Sequence, residues 1–324
     1  MTPDDPILVT GAGGFIGGHL VHRLLELGYS DLRAVDIKPL DEWHQLDSRA
    51  ENVRADLRQR DACDAAAAGR DFLFNFAADM GGMGFIETHK ADCMVSVLIN
   101  TNLLLAARDA CAKRYFFASS ACVYAADRQR DSDVVALRET DAYPADPEDG
   151  YGWEKLFSER MCRHFMEDYG LDARVARFHN IYGPFSSYQG GREKAPAAIC
   201  RKVIEAQQNG SLEIEIWGDG SQMRSFTYID DCIEGTLRLM RSDVRQPLNV
   251  GSSEVVSINE LVSLVERLAG VTLSRRYNLD APTGVRGRNS DNSLICEKLG
   301  WEPSTSLLSG MQATLEWIRS EMKA

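Results

Sequence analysis

Three glycines spaced three apart, Gly11, Gly14 and Gly17, stand between a short apolar run, Pro6-Ile7-Leu8-Val9-Thr10, and an amphipathic stretch that reaches Leu27. No other feature restricts the fold as much, because strand, glycine loop and helix follow one another within the first thirty residues. Gly11 permits a tight turn, Gly14 lets backbone approach a pyrophosphate, and Gly17 lets the helix close on the strand. The N–H groups at the helix start, around Phe15 and Ile16, are then free to face an anion at the positive end of the helix dipole.

The alternation continues. Leu32 to Val35 reads as a second strand ending at Asp36, nineteen residues past Gly17. A carboxylate there accepts the ribose hydroxyls of an adenosine and repels a 2′-phosphate, which favours NAD over NADP, with Lys38 tempering the choice slightly. Val53 to Leu57 reads as a third strand that brings Asp56 and Leu57 to the adenine. Phe72 to Phe76 is a fourth, giving way to Ala77, Ala78 and a loop of small residues through Gly81, Gly82 and Met83, where backbone can pass close to a ligand. Asp92 to Cys111 is a helical run that carries Asn100. Tyr115 to Ala118 is a buried strand ending at Ser119-Ser120, Tyr151 to Tyr169 a helix, and Arg174 to Phe178 a sixth strand.

Beyond Phe178 the alternation weakens into a loop over 179–184, a helix from about Ala197, an extended stretch over Glu213 to Trp217, and short strands at Arg224 to Tyr228 and Leu248 to Val250. Ser257-Ile258-Asn259-Glu260 has the capping-box pattern and opens a helix. The fold class is therefore α/β: a Rossmann-type doubly wound parallel sheet over 1–178, completed by 226–252, with a smaller mixed α/β substrate lobe over 179–225 and 253–324.

Composition excludes several classes. The chain has 324 residues, a net charge of −12 and a pI near 5.1, which argues against a nucleic-acid surface. Its eight cysteines are widely spread, without C-x-x-C spacing or a histidine cluster, so no metal site and no disulfide framework is expected. The first strand begins too early for a signal peptide, and no apolar run reads as long enough to span a bilayer. The expectation is a cytoplasmic protein with reduced thiols and no membrane partner.

Tyr151 and Lys155 stand four apart, so on a helix both side chains leave one face a turn apart. An ammonium beside a phenol lowers its pKa from an unperturbed value of about 10 and makes Tyr151 a general base, with the Ser120 hydroxyl completing the proton path. This helix and the one over Asp92 to Cys111 could form a homodimer seam, or could equally be ordinary core.

Together these residues resemble the extended short-chain dehydrogenase/reductase superfamily over essentially the whole chain. Within it, Ala77 to Phe85, Ser119 to Tyr124, Arg177 to Pro184 and Gly190 to Pro196 resemble the GDP-mannose 3,5-epimerase family, and Arg286 to Asn292 fits the same group. The resemblance implies transient oxidation of the sugar at C4 by NAD, with Tyr151 taking the hydroxyl proton. The ketone acidifies the hydrogens on C3 and C5, and the family's two proton-exchanging groups map onto Cys122 and Lys194. Return of hydride closes the cycle, and the implied products are GDP-L-galactose and GDP-L-gulose. The same resemblance implies that Arg192, Arg224, Arg286 and Arg288 hold the pyrophosphate, that Asn180 orients the sugar or its phosphate, and that His179 is structural. Cys122 sets the chain apart from 4,6-dehydratases, which carry Thr-Asp-Glu across Ser120, Ala121 and Cys122. It also differs from simple 4-epimerases, which have a small inert residue at Cys122. The alternative is a single-centre epimerase or 4,6-dehydratase acting on a UDP- or dTDP-linked sugar. Departures from the family's pattern fall mostly at Ala125 to Leu137 and Gln207 to Glu215, read as surface loops.

Overall fold

A run of apolar residues without polar alternation needs cover on both faces. In the computed structural model, which describes residues 1–130 and 135–323, the first such run has that cover, all four of its residues being buried. It forms β1 (Ile7–Thr10), followed by α1 (Phe15–Glu26), β2 (Leu32–Asp36), β3 (Glu51–Arg54), α2 (Arg60–Ala67), β4 (Phe72–Asn75), α3 (Met83–Thr88), α4 (Lys90–Val95), α5 (Val97–Asp109), β5 (Arg114–Ser120), α6 (Tyr151–Tyr169) and β6 (Ala173–Phe178). Then come β7 (Ile181–Tyr182), α7 (Ala195–Asn209), β8 (Glu213–Trp217), β9 (Met223–Ser225), β10 (Thr227–Tyr228), α8 (Ile229–Arg241), β11 (Leu248–Val250), β12 (Val255–Ser257), α9 (Ile258–Ala269), β13 (Ser274–Asn278), β14 (Gly287–Arg288), α10 (Ser293–Leu299) and α11 (Leu307–Glu321).

Seven strands make one parallel sheet in the order β3-β2-β1-β4-β5-β6-β11. Parallel neighbours require crossovers, and the helices that supply them cover both faces. Successive residues of β1 point to opposite sides: Ile7 and Val9 join a core with Leu24, Phe116 and Leu237, while Leu8 joins one with Leu73, Leu104 and Phe165. A separate core around Val203, Ile214, Leu261 and Met311 holds α7, α9 and α11 together. There β9 pairs with β12 antiparallel and with β14 parallel.

Some sequence expectations shift. β3 ends at Arg54, because this edge strand is half exposed and carries no continuous apolar signal. Asp56 and Leu57 therefore follow the strand, with Asp56 accepting a hydrogen bond from Arg58 Nε at 2.9 Å. The glycine-methionine loop closes into α3 at Met83. α8 lies between the two expected short strands, Arg224 to Tyr228 and Leu248 to Val250, and its buried Ile229, Cys232, Ile233, Leu237 and Met240 recur at helical spacing. Of the expected loop from Ala125 to Leu137, residues 131–134 lie outside the described residues.

The reading that no apolar run reaches bilayer length is also corrected. Lys90–Asp109, the continuous span of α4 and α5, is one helix long and apolar enough by length and composition, with a mean hydropathy of 1.2. Its apolarity serves packing: Leu103, Leu104, Ala106 and Ala107 are buried in the sheet's second core. Met94, Val95 and Leu98 remain exposed, as do Trp153 and Phe157 on the neighbouring α6.

A buried ion pair fixes α6 to the sheet. Arg177 on β6 donates from Nη2 to Glu159 Oε2 at 2.7 Å and from Nε to Oε1 at 2.9 Å, while Ser119 at the end of β5 donates to the same carboxylate at 2.5 Å. Removing the carboxylate would leave a guanidinium buried without its countercharge. Glu159→Ala is expected to cost about 3–5 kcal/mol by denaturant unfolding; a cost below about 1 kcal/mol, the scale of an exposed pair, would contradict this account.

Candidate active site

In a parallel sheet all the strands release their chains at one edge. Here the smaller lobe covers that edge, leaving a cleft of about 1190 Å³. Gly11 leaves β1 at φ +71°, and a Cβ on Gly17 would lie 2.2 Å from the Gly11 carbonyl oxygen, so this crossing admits no side chain. Gly14 cannot cap α1, and the helix's first bond runs from Gly18 N to Gly14 O at 3.1 Å. The preceding N–H groups, Phe15 and Ile16 among them, are thus left for an anion. Asp36 lines the cleft while also bracing the loop: its Oδ2 accepts the Gly13 N–H at 3.1 Å and its Oδ1 the Lys38 N–H at 3.0 Å. Asp56, Leu57, Ala77 and Ala78 continue the same wall. The start of α1, with no side chain at Gly14 and the N–H groups of Phe15 and Ile16 ahead of the helix's first bond, fits the pyrophosphate of a dinucleotide.

At the centre, β5 ends at Ser120, whose Oγ accepts the Cys122 N–H at 3.2 Å and starts a single tight turn. Tyr151 opens α6 directly opposite. The two segments meet without a spacer, since a Cβ on Gly152 would stand 2.4 Å from the Cys122 carbonyl oxygen. Lys155 Nζ lies 5.5 Å from the centre of the Tyr151 ring, and 3.4 Å from Glu154 Oε2. The expected lowering of the Tyr151 phenol is corrected here. Burial pushes it well up, and the charges of Cys122 and Glu154 push the same way, against the Ser120 hydroxyl. The carboxylate of Glu154, buried beside Lys155, offsets the ammonium that a reading of Tyr151 and Lys155 alone would credit.

Lys194 sits immediately before α7, half buried, and enters the cleft from the other lobe. Burial holds its ammonium below the usual lysine range, and Arg288 adds to this. The Cys122 thiol is pushed up to about 11 by burial and by Glu148, against the pull of Arg288. Gly81, Gly82 and Met83 line the wall between them, with Gly82 N donating to Arg192 O at 2.9 Å. A Cβ on Gly82 would lie 2.2 Å from the Glu193 carbonyl oxygen.

The cationic residues divide. Arg192 sits at the rim, paired with Asp79 at 2.6 Å and stacked 3.8 Å over the Phe85 ring. Arg224 is held below its usual range, to about 10, by burial and by Arg288; its hydrogen bonds among the described residues go to carbonyls, including Met223 O at 2.8 Å. Arg288 is buried and committed, donating to Glu148 at 2.5 Å, Gln129 at 2.7 Å and the Cys122 sulfur at 3.5 Å. Arg286 is not brought into the cleft wall and faces Asp219 at 3.7 Å. Asn100 also lies outside it, in a buried network with Asn75 and Tyr115. Asn180 does line the cleft, with φ +44°, and donates to Ser225 O at 2.9 Å. His179 is buried on Asn249 at 3.0 Å, and burial pulls it down to about 3, so it stays neutral.

Sequence reasoning missed Glu148 and Gln129, and also Trp217, Gln222 and Thr283 at the far end of the cleft. No local pattern marks Glu148, which lies between Pro147 and Asp149; its partner is 140 residues away.

The model of the NAD dependent epimerase/dehydratase family matches residues 7–251. The chain is 46% identical to GDP-mannose 3,5-epimerase 1 of Oryza sativa subsp. japonica, over 98% of this chain and 82% of that one. Among solved structures it resembles UDP-glucose 4-epimerase of Thermotoga maritima with UDP-glucose, at a TM-score of 0.87 and 25% identity, covering 98% of this chain and 99% of that one. It also resembles UDP-glucuronic acid 4-epimerase of Bacillus cereus in complex with UDP-glucuronic acid and NAD, at a TM-score of 0.81 and 25% identity, covering 98% and 99%.

The contact at Gly82 generates a direct expectation. Gly82→Ala forces the loop off the segment that carries Lys194, and a displacement of about 1 Å is expected to cut turnover about 100-fold. Steady-state rates with circular dichroism as a folding control check this; a folded variant with unchanged turnover would refute it.

Proposed function

The chain belongs to the NAD dependent epimerase/dehydratase family, and from that premise we propose that it is an NAD-dependent GDP-mannose 3,5-epimerase. The carrying observation is that a phenol, a thiol and an amine, Tyr151, Cys122 and Lys194, line one cleft and come from two lobes. A 4-epimerase needs to move only hydride and one hydroxyl proton; inversion at two carbons needs two further proton carriers, and Cys122 and Lys194 supply them.

The Gly11 to Gly17 loop, Asp36 and the wall through Ala78 would hold NAD, which when bound would supply reversible hydride acceptance at C4. Tyr151 takes the C4 hydroxyl proton and gives it back. Its raised affinity for a proton means that Lys155 must act close to the phenol to draw that proton away. With the ketone at C4, the hydrogens on C3 and C5 become acidic. Lys194, lowered by burial, moves toward the neutral amine that accepts a proton from one carbon, whereas the Cys122 thiol, raised to about 11, stays protonated at neutral pH and donates one to the opposite face. The ammonium and thiolate left behind return to amine and thiol by exchange with solvent before the second carbon is inverted. Arg224, whose donors are held by carbonyls alone among the described residues, receives the pyrophosphate.

The same reading has the enzyme acting in the cytoplasm as a homodimer, without membrane or nucleic-acid partners. The exposed Met94, Val95 and Leu98, with Trp153 and Phe157 on the adjacent helix, supply the apolar seam that a second copy would cover. A monomer by analytical ultracentrifugation would remove the dimer from this proposal.

Incubation with GDP-mannose in deuterated water tests the chemistry. Deuterium is expected at both C3 and C5 by NMR without net NADH, and Cys122→Ala is expected to lower that incorporation by at least about 100-fold, the scale of one lost acid–base group. Exchange at neither carbon, with turnover of a UDP- or dTDP-sugar instead, would replace this reading with a single-centre epimerase or dehydratase.

A further inference from the structure

Among the described residues, Glu148 is the carboxylate in direct contact with the group around the Cys122 sulfur that the mechanism above does not use. Its backbone N–H donates to the Cys122 carbonyl at 3.0 Å, so the two residues are latched at the main chain. Its Oε1 accepts from Arg288 Nη2 at 2.5 Å, and the same guanidinium places Nη1 3.5 Å from the Cys122 sulfur. Gln129 holds the third corner of that guanidinium, accepting from Nε at 2.7 Å. The other carboxylate oxygen, Oε2, is buried and has no hydrogen-bond partner among the described residues. We propose that Glu148 is a positioning residue for the proton-exchanging thiol: it clamps Arg288 against the Cys122 sulfur and holds that sulfur as a neutral thiol able to donate its proton.

The balance of charge around Cys122 supports this. Arg288 from β14 and Arg224 from β9 are cationic, Lys194 from the start of α7 is drawn toward the neutral amine, Tyr151 on α6 is a neutral phenol, Ser120 donates no charge, and among the described residues Glu148 is the anionic one of these neighbours. Burial raises the Glu148 carboxyl, but Arg288 and the thiol outweigh it and hold it lowered, so Glu148 is charged at neutral pH. Removing that charge leaves the two guanidinium groups of Arg288 and Arg224 facing the sulfur without it, and cations favour the thiolate. A thiolate held by Arg288 would have no proton to give. Glu148 thus acts on the reaction through Cys122.

The inference rests on the reading that Cys122 exchanges a proton with the sugar, but its test needs no turnover. The purified holoenzyme and its Glu148→Gln and Glu148→Asp variants are alkylated with iodoacetamide across a pH series, and Cys122 is followed by peptide mass spectrometry. In Glu148→Gln the apparent pKa of Cys122 is expected to fall by about one unit, which makes its alkylation near neutrality about tenfold faster. Glu148→Asp, which keeps the charge but shortens its reach, is expected to fall between Gln and wild type. The exposed Cys111 and Cys296 serve as references in the same digest, and labelling of buried Cys63 and Cys162 would report unfolding. An unshifted Cys122 profile in a folded Gln variant overturns the proposal; if that variant unfolds, an unshifted Asp variant does so. Should Cys122→Ala leave sugar exchange intact, the catalytic reading of Cys122 fails while a shifted alkylation profile still upholds the role of Glu148.

Discussion

A carbonyl oxygen occupies the space where a side chain on Gly82 would begin, and the cleft depends on that contact. The groups assigned to the chemistry come from two bodies of structure. Cys122, Tyr151 and Lys155 are carried by the sheet and α6, whereas Lys194, Arg224 and Arg288 are carried by the smaller lobe. Their spacing is set by how closely the loop after β4 lies on the segment before α7, where the Gly82 N–H meets the Arg192 carbonyl and a Cβ would come within 2.2 Å of Glu193 O. A second contact of this kind, Gly152 on the Cys122 carbonyl, sets the thiol against the phenol. Backbone touching backbone is stiff, whereas interdigitated side chains can rearrange. Both sides of the proposed sugar site are therefore defined by main chain.

Charge is distributed against the overall composition. The chain carries a net −12, yet Lys38, Arg192, Lys194, Lys202, Arg224 and Arg288 all line the cleft. An acidic surface with a cationic recess repels polyanions and admits a small one, which suits a nucleotide sugar. Inside, the cations are graded by partner. Arg288 is held by Glu148 and Gln129, while the hydrogen bonds of Arg224 among the described residues go to carbonyls. That difference separates the residue proposed to tune the thiol from the residue proposed to meet a phosphate.

What the sequence disclosed, and what it hid, follows from the range of each interaction. The glycine loop, the strand ending at Ser120 and the helix opening at Tyr151 are local patterns of period and spacing, and they fall where expected. β3 was misplaced because an edge strand that is half exposed shows no apolar run. Asn100 and Arg286 carry residue types common in ligand sites, but a polar side chain in a helix or loop has no sequence mark for whether it faces a cleft, a buried network or Asp219. The direction of the Tyr151 shift was missed because its largest cause is burial, which a pairwise reading of phenol and ammonium does not register; Glu154, adjacent to Lys155, pushes the same way. Glu148 was not legible at all: its meaning comes from an arginine 140 residues away.

The account stands on a thiol and an amine presented to opposite faces of one hexose ring. A crystal structure of the enzyme with NAD and GDP-mannose measures this directly. The account predicts the Cys122 sulfur on one face of the ring and the Lys194 nitrogen on the other, each within about 3.5 Å, the range of a near-attack arrangement, of the hydrogen-bearing carbons C3 and C5. A complex in which either atom turns away from the ring, or both lie on the same face, would contradict it.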